Sequence, residues 1–217
     1  MVQVKICGIT NLKDALACID AGAYALGFNF YRQSPRYIEP TQARRIIEQL
    51  PASVLSVGVF ANEPSAKQVE RVAIVSGVQA VQLHGDEPPA YCRELNRLFV
   101  IKALRVDGDF KPEQAAQFET DAILLDGFSD RAYGGVGQSF DWSIAMRTRP
   151  LVAKLFLAGG LNANNVRVAI KSVQPYAVDA CSGLENIPGR KDIAKVRAFI
   201  QATRDAVKDP RPPRAFR

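Results

Sequence analysis

Along this chain, short runs of β-branched and apolar residues alternate with stretches whose apolar positions recur at helical spacing, one such pair about every 25 residues. The runs that read as strands fall at 2–7, 25–30, 54–60, 80–83, 99–103, 122–126, 155–158 and 177–180. The amphipathic stretches between them fall at 11–21, 40–50, 64–76, 88–95, 112–118, 142–148, 163–173 and 191–206. Four of these begin at proline, Pro40, Pro64, Pro88 and Pro112, whose fixed φ and missing N–H suit the first helical position. Eight strand–helix pairs, several strands being apolar on both faces, predict an α/β fold, a single-domain (β/α)8 TIM barrel over 1–206. An open doubly wound sheet is the alternative. No Pro/Gly/Ser-rich linker divides the chain, and the longest irregular stretch is 127–141, following the sixth strand.

The strand C-termini and the loops that follow them form the active face of such barrels, so the residues that end strands carry the candidate chemistry. The first strand ends Lys5-Ile6-Cys7-Gly8. A buried cysteine is usually inert filler, yet at a strand end, with Lys5 two residues earlier on the same face, a thiol of lowered pKa would make a usable base. The sixth strand ends in Asp126, either a cap for the next loop or a carboxyl whose pKa rises on desolvation by Phe128 and its neighbours, making it an acid. Gly159 and Gly160 after the seventh strand, and Ser182 and Gly183 after the eighth, are either tight turns or a backbone cradle for phosphate. Loops in these two positions favour phosphate. Arg36, fixed behind Pro35, is a candidate fork for a substrate carboxylate, whereas Arg32 reads as solvated. His84 ends the fourth strand; a lone histidine is more often structural, but this one sits at the mouth. The segment 132–142 has no P-loop lysine and no GxGxxG order, and reads as a lid with glycine hinges.

Composition narrows the classes. A 47% hydrophobic and 23% charged chain of 217 residues is that of a folded globular protein. No apolar run reaches the roughly 18 residues of a membrane helix, and 1–5 does not read as a signal peptide, so a cytoplasmic protein is expected. Cys7, Cys18, Cys92 and Cys181 lack CxxC spacing, which fits free thiols and not a zinc ribbon; with His84 as the only histidine, a multi-histidine metal centre cannot be built. Half of the +6 net charge lies in the last ten residues, where Lys208, Arg211, Arg214 and Arg217 face only Asp209 among three prolines. The expectation for 207–217 is a basic, poorly ordered tail, and no nucleic-acid partner is expected. A basic body suits an enzyme that collects anionic substrates.

The motifs at the strand ends resemble the phosphoribosylanthranilate isomerase family of tryptophan biosynthesis over residues 2–205: Lys5-Ile6-Cys7-Gly8-Ile9-Thr10, Gly27-Phe28 through Arg36, Val57-Gly58-Val59-Phe60, Val81-Gln82-Leu83-His84-Gly85, Leu124-Leu125-Asp126, Phe140-Asp141-Trp142, Leu157-Ala158-Gly159-Gly160-Leu161 and Asp179 through Gly183. The resemblance implies an isomerase that converts the aminoaldose N-(5-phosphoribosyl)anthranilate to an aminoketose by an Amadori rearrangement, with no cofactor and no metal. It implies Asp126 as the acid that opens the ribose ring, Cys7 as the base at C2 and Arg36 on the anthranilate carboxylate. His84 and Asp179 fall on family motif positions in the substrate site, and the phosphate goes to the last two loops. Two positions depart from the family pattern: Val136 stands where threonine is usual, and Cys181 where serine is usual on the phosphate side. The substrate is then a small phosphosugar-anthranilate, with no membrane partner, and the chain a monomer or homodimer. The aminoaldose isomerase of histidine biosynthesis, which uses two carboxylates, is disfavoured by Cys7, and a metal-dependent pentose-phosphate epimerase by the single histidine. A non-catalytic barrel binding module is the reading from another class, disfavoured by the presence of Cys7, Asp126 and Arg36 together.

Overall fold

The computed structural model describes residues 1–127 and 141–208. Eight parallel strands close into a barrel in chain order: β1 (Gln3–Ile6), β2 (Ala25–Asn29), β3 (Leu55–Phe60), β4 (Ala80–Leu83), β5 (Phe99–Arg105), β6 (Ala122–Asp126), β7 (Leu155–Leu157) and β8 (Ala177–Ala180). The seam is β1 against β8, with Val4 opposite Val178 and Lys5 opposite Asp179. Around the strands lie α1 (Leu12–Ala21), α2 (Pro40–Ile47), α3 (Ala66–Ser76), α4 (Pro89–Glu94), α5 (Trp142–Thr148), α6 (Val166–Val173) and α7 (Ile193–Lys208). The open-sheet alternative is thereby excluded. Among the described residues no helix is long and apolar enough to cross a membrane.

Alternation along the strands separates two apolar clusters. Side chains pointing outward (Ile6, Leu26, Phe28, Val81, Leu83, Ile123, Leu125) pack under the helices, and those pointing inward (Ala25, Val57, Ala80, Ile101, Leu124, Phe156, Ala177) fill the barrel itself. Phe156 is the one ring in that interior cluster that is fully buried, and the alanines around it make room for it. Burying such a ring contributes ~1.5–3 kcal/mol. Above this apolar layer the inward positions turn polar: Lys5, Gln82 and Asp179 are buried, and Cys7, His84 and Asp126 come next, at the mouth. The barrel is therefore dry below and chemical above.

Several element boundaries differ from those the sequence predicts. The stretch 112–118 forms a 3₁₀ helix, Pro112–Gln117, whose buried residues Pro112 and Ala115 are three apart, the spacing that a three-residue turn aligns. Pro40 and Pro112 open their elements, but Pro64 precedes the cap Ser65, whose hydroxyl accepts from Gln68 N, and Pro88 is itself the residue before α4. α6 starts at Val166 and not at 163, because Asn162 and Asn165 fold the intervening residues into a turn through Asn162 N to Asn165 Oδ1 (2.8 Å) and Asn164 N to Asn162 Oδ1 (2.9 Å). α7 runs through 207–208, so those two residues belong to the barrel's last helix. The rest of the expected tail, Phe128, and residues 132–140 of the expected lid with Val136 lie outside the described residues. A small hairpin, β9 (Glu185–Ile187) with β10 (Arg190–Lys191), follows β8 and was not expected.

Lys5 and Asp179 form an ion pair of 2.9 Å at the seam, with side chains 0% and 8% exposed. Replacing Lys5 by methionine leaves a buried carboxylate without its partner and is expected to cost ~3–5 kcal/mol of stability in urea denaturation. Burial already pushes Asp179 up to about 6, with Lys5 opposing. Without Lys5 its folded pKa rises further above the unfolded value of ~3.9, so the folded state holds a proton that the unfolded state has released. The variant's stability therefore falls as pH rises through that window, and denaturation near pH 5 and pH 8 should show a smaller deficit at the lower pH. A pH-independent loss of ~1 kcal/mol, as for an exposed pair, would contradict this.

Candidate active site

The inward series places three reactive groups around the mouth: Cys7 just past β1, His84 just past β4 and Asp126 at the end of β6. Cys7 is packed against β2 so closely that a Cβ at position 27 would stand 2.7 Å from its Sγ, so only Gly27 lets the two strands pair here. Cys181 occupies the position next to Cys7 across the seam. Cys7 N donates to Ala180 O (2.9 Å), and the Cys181 thiol hydrogen-bonds to the Cys7 sulfur. That bond holds the Cys7 thiol well below its ordinary range against the opposing effect of burial, and the charges of Lys5 and Lys191 add to it. The donor's own proton is correspondingly hard to remove, so Cys181 is raised. Lys5 stays protonated, because Asp179 and Cys7 outweigh the burial that would lower it. The inference from sequence that Lys5 would supply positive charge beneath Cys7 matches this arrangement, but the first contribution comes from the other thiol. Cys181, expected on the phosphate side, turns its sulfur toward Cys7.

Arg36 lies beside these thiols, but its guanidinium is already engaged. Nε donates to both carboxylate oxygens of Glu185 (3.0 Å each) and Nη2 to Oε2 (2.6 Å). Glu185 also accepts from Lys191 Nζ (2.8 Å) and Gly189 N (3.2 Å), so Arg36 and Lys191 together hold it below the usual carboxylate range although burial works against them. A substrate carboxylate would meet the outer edge of the fork, Nη1 and Nη2. Arg32 is exposed and stacks over the Tyr37 ring at 5.5 Å.

On the other side of the mouth, His84 Nε2 is 3.2 Å from Asp126 Oδ2, and His84 Nδ1 is 2.8 Å from Gln82 Nε2. Gln82 is fully buried and its Oε1 has no hydrogen-bond partner. A cavity of about 580 Å³ opens beside this pair, lined among others by Lys102, Arg105, Phe110 and Phe118. Its floor is fixed by the buried Lys102–Glu87 ion pair (2.6 Å), with Glu87 also accepting from Asn62 N (2.8 Å) and Gly85 N (3.0 Å). Gly159 and Gly160 both have positive φ (85° and 66°), and Gly183 packs so near Leu161 that a Cβ would stand 2.6 Å from its carbonyl oxygen. The loops after β7 and β8 therefore adjoin, and Ser182 opens the short turn of the second. Among the described residues no group of three or more His, Cys, Asp or Glu side chains is placed to hold a metal ion.

Sequence reasoning singled out Cys7, Arg36, His84, Asp126 and Asp179 but missed Gln82, Glu185 and Lys191. Gln82 had a signal: it is a polar residue at an inward position of a four-residue strand whose other three residues are apolar. Glu185 and Lys191 had none, because only the hairpin turns them back toward Cys181.

The family model for N-(5'-phosphoribosyl)anthranilate (PRA) isomerase matches residues 4–202. The N-(5'-phosphoribosyl)anthranilate isomerase of Pelobacter propionicus is 47% identical over 205 residues, 94% of this chain and 97% of that one, and that of Geobacter metallireducens is 49% identical over 201 residues, 93% and 98% of the two chains. Among solved structures, phosphoribosyl anthranilate isomerase from Thermotoga maritima superposes with a TM-score of 0.86 at 46% identity, covering 94% of this chain and all of that one. A phosphoribosyl anthranilate isomerase in complex with reduced 1-(o-carboxyphenylamino)-1-deoxyribulose 5-phosphate superposes at 0.84 with 45% identity, again over 94% and 100%.

The thiols are expected to separate by reactivity. Burial raises Cys18 to about 12 and raises Cys92, and Cys181 is raised by its bond to Cys7, so Cys7 is the one thiol of the four that is lowered. Iodoacetamide near pH 6, well below the ~8.5 of a free thiol, should alkylate Cys7 first, as read by peptide mass mapping. Equal labelling of Cys181, or labelling of Cys7 that begins only near pH 8.5, would refute the assignment.

Proposed function

The chain belongs to the N-(5'-phosphoribosyl)anthranilate isomerase family, and from that membership we propose how its own residues carry the rearrangement, with Cys7 as the base and Asp126 as the acid. The protein is an isomerase of tryptophan biosynthesis, and its substrate is a phosphosugar joined to anthranilate. The observation that carries the reading is the placement of a thiol of lowered pKa and a carboxyl group on one mouth, each with its own hydrogen-bonding partner.

Asp126 gives a proton to the ribose ring oxygen as the C1–O bond breaks, leaving the open-chain protonated imine of the anthranilate nitrogen, which keeps its own proton. The Cys7 thiolate then removes the C2 proton, and the electron pair shifts through C1 to nitrogen to give the enolamine. Return of a proton to C1 and loss of the C2 hydroxyl proton complete the ketone, so protons balance over the cycle and nothing is oxidised or reduced by an outside agent. Such acid–base help contributes ~10²–10⁴-fold per group. Arg36 takes the anthranilate carboxylate on the edge that Glu185 leaves open, with Glu185 holding the guanidinium plane in position. The backbone around Gly159, Gly160, Ser182 and Gly183 takes the phosphate, the adjoining loops offering one concave surface. Asp179 acts from beneath by keeping Lys5 in place, and His84 acts through Asp126.

The test follows anthranilate fluorescence as freshly generated substrate is consumed. Cys7→Ala and Asp126→Asn are each expected to lower kcat by at least ~10²-fold with KM within about threefold, the pattern of lost proton transfer. Arg36→Met should instead raise KM. Wild-type turnover in either of the first two variants removes that residue from its role.

A further inference from the structure

Gln82 has a function that packing does not explain. It occupies an inward position of β4, fully buried, with its Nε2 on His84 Nδ1 (2.8 Å) and its Oε1 orphaned. An unsatisfied buried acceptor costs ~1–3 kcal/mol. The arrangement fixes the histidine. An amide nitrogen can only donate, so in this geometry Nδ1 is the accepting nitrogen and Nε2 the one that carries a proton. Nε2–H then donates to Asp126 Oδ2 (3.2 Å). An oxygen that already accepts this bond is not where the carboxyl proton sits; the proton goes to Oδ1.

We propose that Gln82 is a positioning residue that, by holding His84 in the Nε2–H tautomer, directs the acidic proton of Asp126 to Oδ1, the oxygen that His84 leaves free to reach substrate. This rests on the reading of Asp126 as the acid. With the amide reversed, His84 would carry its proton on Nδ1 and present a bare Nε2, and the Asp126 proton would be tied up on Oδ2 against the ring. In the observed orientation the bond from Nε2–H also stabilises the carboxylate that remains once the proton has left. The groups facing His84 and Asp126 here are Gln82 from below, Arg105 beside Asp126 on the neighbouring strand, Lys102, Asp86, Glu87, Asp107 and Asp109 around the cavity, and Cys7 and Asp179 from the thiol side.

His84 is the chain's one histidine, so ¹⁵N-histidine labelling reads its tautomer without assignment. The wild type is expected to show the neutral Nε2–H form at neutral pH. Gln82→Glu, which can only accept at Nδ1, is expected to protonate that nitrogen and lower kcat ~10–100-fold with KM within about twofold, as disturbed outer-shell hydrogen bonds do. Gln82→Met keeps the volume without the donor and should give mixed tautomers and an intermediate kcat. An Nδ1–H or doubly protonated ring in the wild type overturns the proposal, as do unchanged tautomers in both variants, or wild-type turnover once the tautomer has changed. Full activity in Asp126→Asn would instead overturn the acid assignment, while the wild-type tautomer would still be read.

A second observation stands apart from this one. Lys5 and Asp179 are in register across the seam, and two residues on, on the same face, Cys7 and Cys181 meet as free, hydrogen-bonded thiols. Neighbouring strands lie ~4.8 Å apart, within the ~4.4–6.8 Å Cα separation that a disulfide spans. We infer that the pair is a site of reversible oxidation by peroxides. The Cys7 thiolate attacks a peroxide oxygen, the O–O bond breaks, hydroxide leaves and Cys7 becomes a sulfenic acid; the Cys181 sulfur then attacks the Cys7 sulfur, water leaves and the S–S bond forms. The base is thereby withdrawn. Hydrogen peroxide should abolish wild-type activity, dithiothreitol should restore it, and the inactive protein should have lost two hydrogens in intact mass, with Cys7 and Cys181 peptides linked. In Cys181→Ser no thiol is at hand to trap the Cys7 sulfenic acid, so a second equivalent of peroxide should carry it to the sulfinic acid, which dithiothreitol does not reduce. Absence of the linked peptide, or equal rescue of that variant, overturns the inference; a linked protein that keeps its activity would tell against Cys7 as the base and leave the oxidation site standing.

Discussion

The buried ion pair between Lys5 and Asp179 is the constraint on which the rest depends. It joins the first strand to the last at the seam where the barrel must close, and both groups are almost wholly removed from water. Desolvating two charges costs several kcal/mol per ion, which their attraction offsets only in good geometry. A pair of apolar side chains would close the seam as well, so stability alone does not account for it. What it provides is a fixed cation directly below a thiol, and a register in which the next inward residues, Cys7 and Cys181, must face one another.

From that seam the mouth divides into two unlike halves. On one side, Lys5, Lys191 and Arg36 surround the thiols, and Glu185 ties the latter two together without neutralising all of the field. On the other, Asp126 meets one nitrogen of the His84 ring, while the Gln82 amide holds the other. The first is built from the adjacent ends of β1 and β8, the second from β4 and β6 on either side of β5. One favours an anion at rest, and the other favours a proton in transit.

The fold was largely legible because its information is local. Alternation in β2 and β6 and the apolar runs between polar helices declare buried strands, and eight of them leave few topologies. Boundaries were less legible where a side chain competed with the backbone, as at Asn162 and Asn165, or where six residues were too few to hold an α-helix, as at Pro112–Gln117. In the site, Cys7, His84 and Asp126 could be read because strand ends have a known place in this architecture. Glu185 could not, since its importance arises from contacts to Arg36, 149 residues away in sequence, and to Lys191 across a hairpin of three- and two-residue strands.

That difference explains why Arg36 was read too simply. From sequence it is a free fork awaiting a carboxylate; in the structure a protein carboxylate already holds two of its three nitrogens. An unrestrained arginine must lose rotamer freedom when substrate binds, at ~2 kcal/mol for the side chain. One pinned by Glu185 has lost that freedom on folding, so in the role proposed for it the outer edge is oriented in advance. The same carboxylate anchors Lys191 near the thiols, which couples the geometry of carboxylate recognition to the electrostatics of the base. Substrate orientation and thiolate formation are then consequences of one network that folding assembles before substrate arrives.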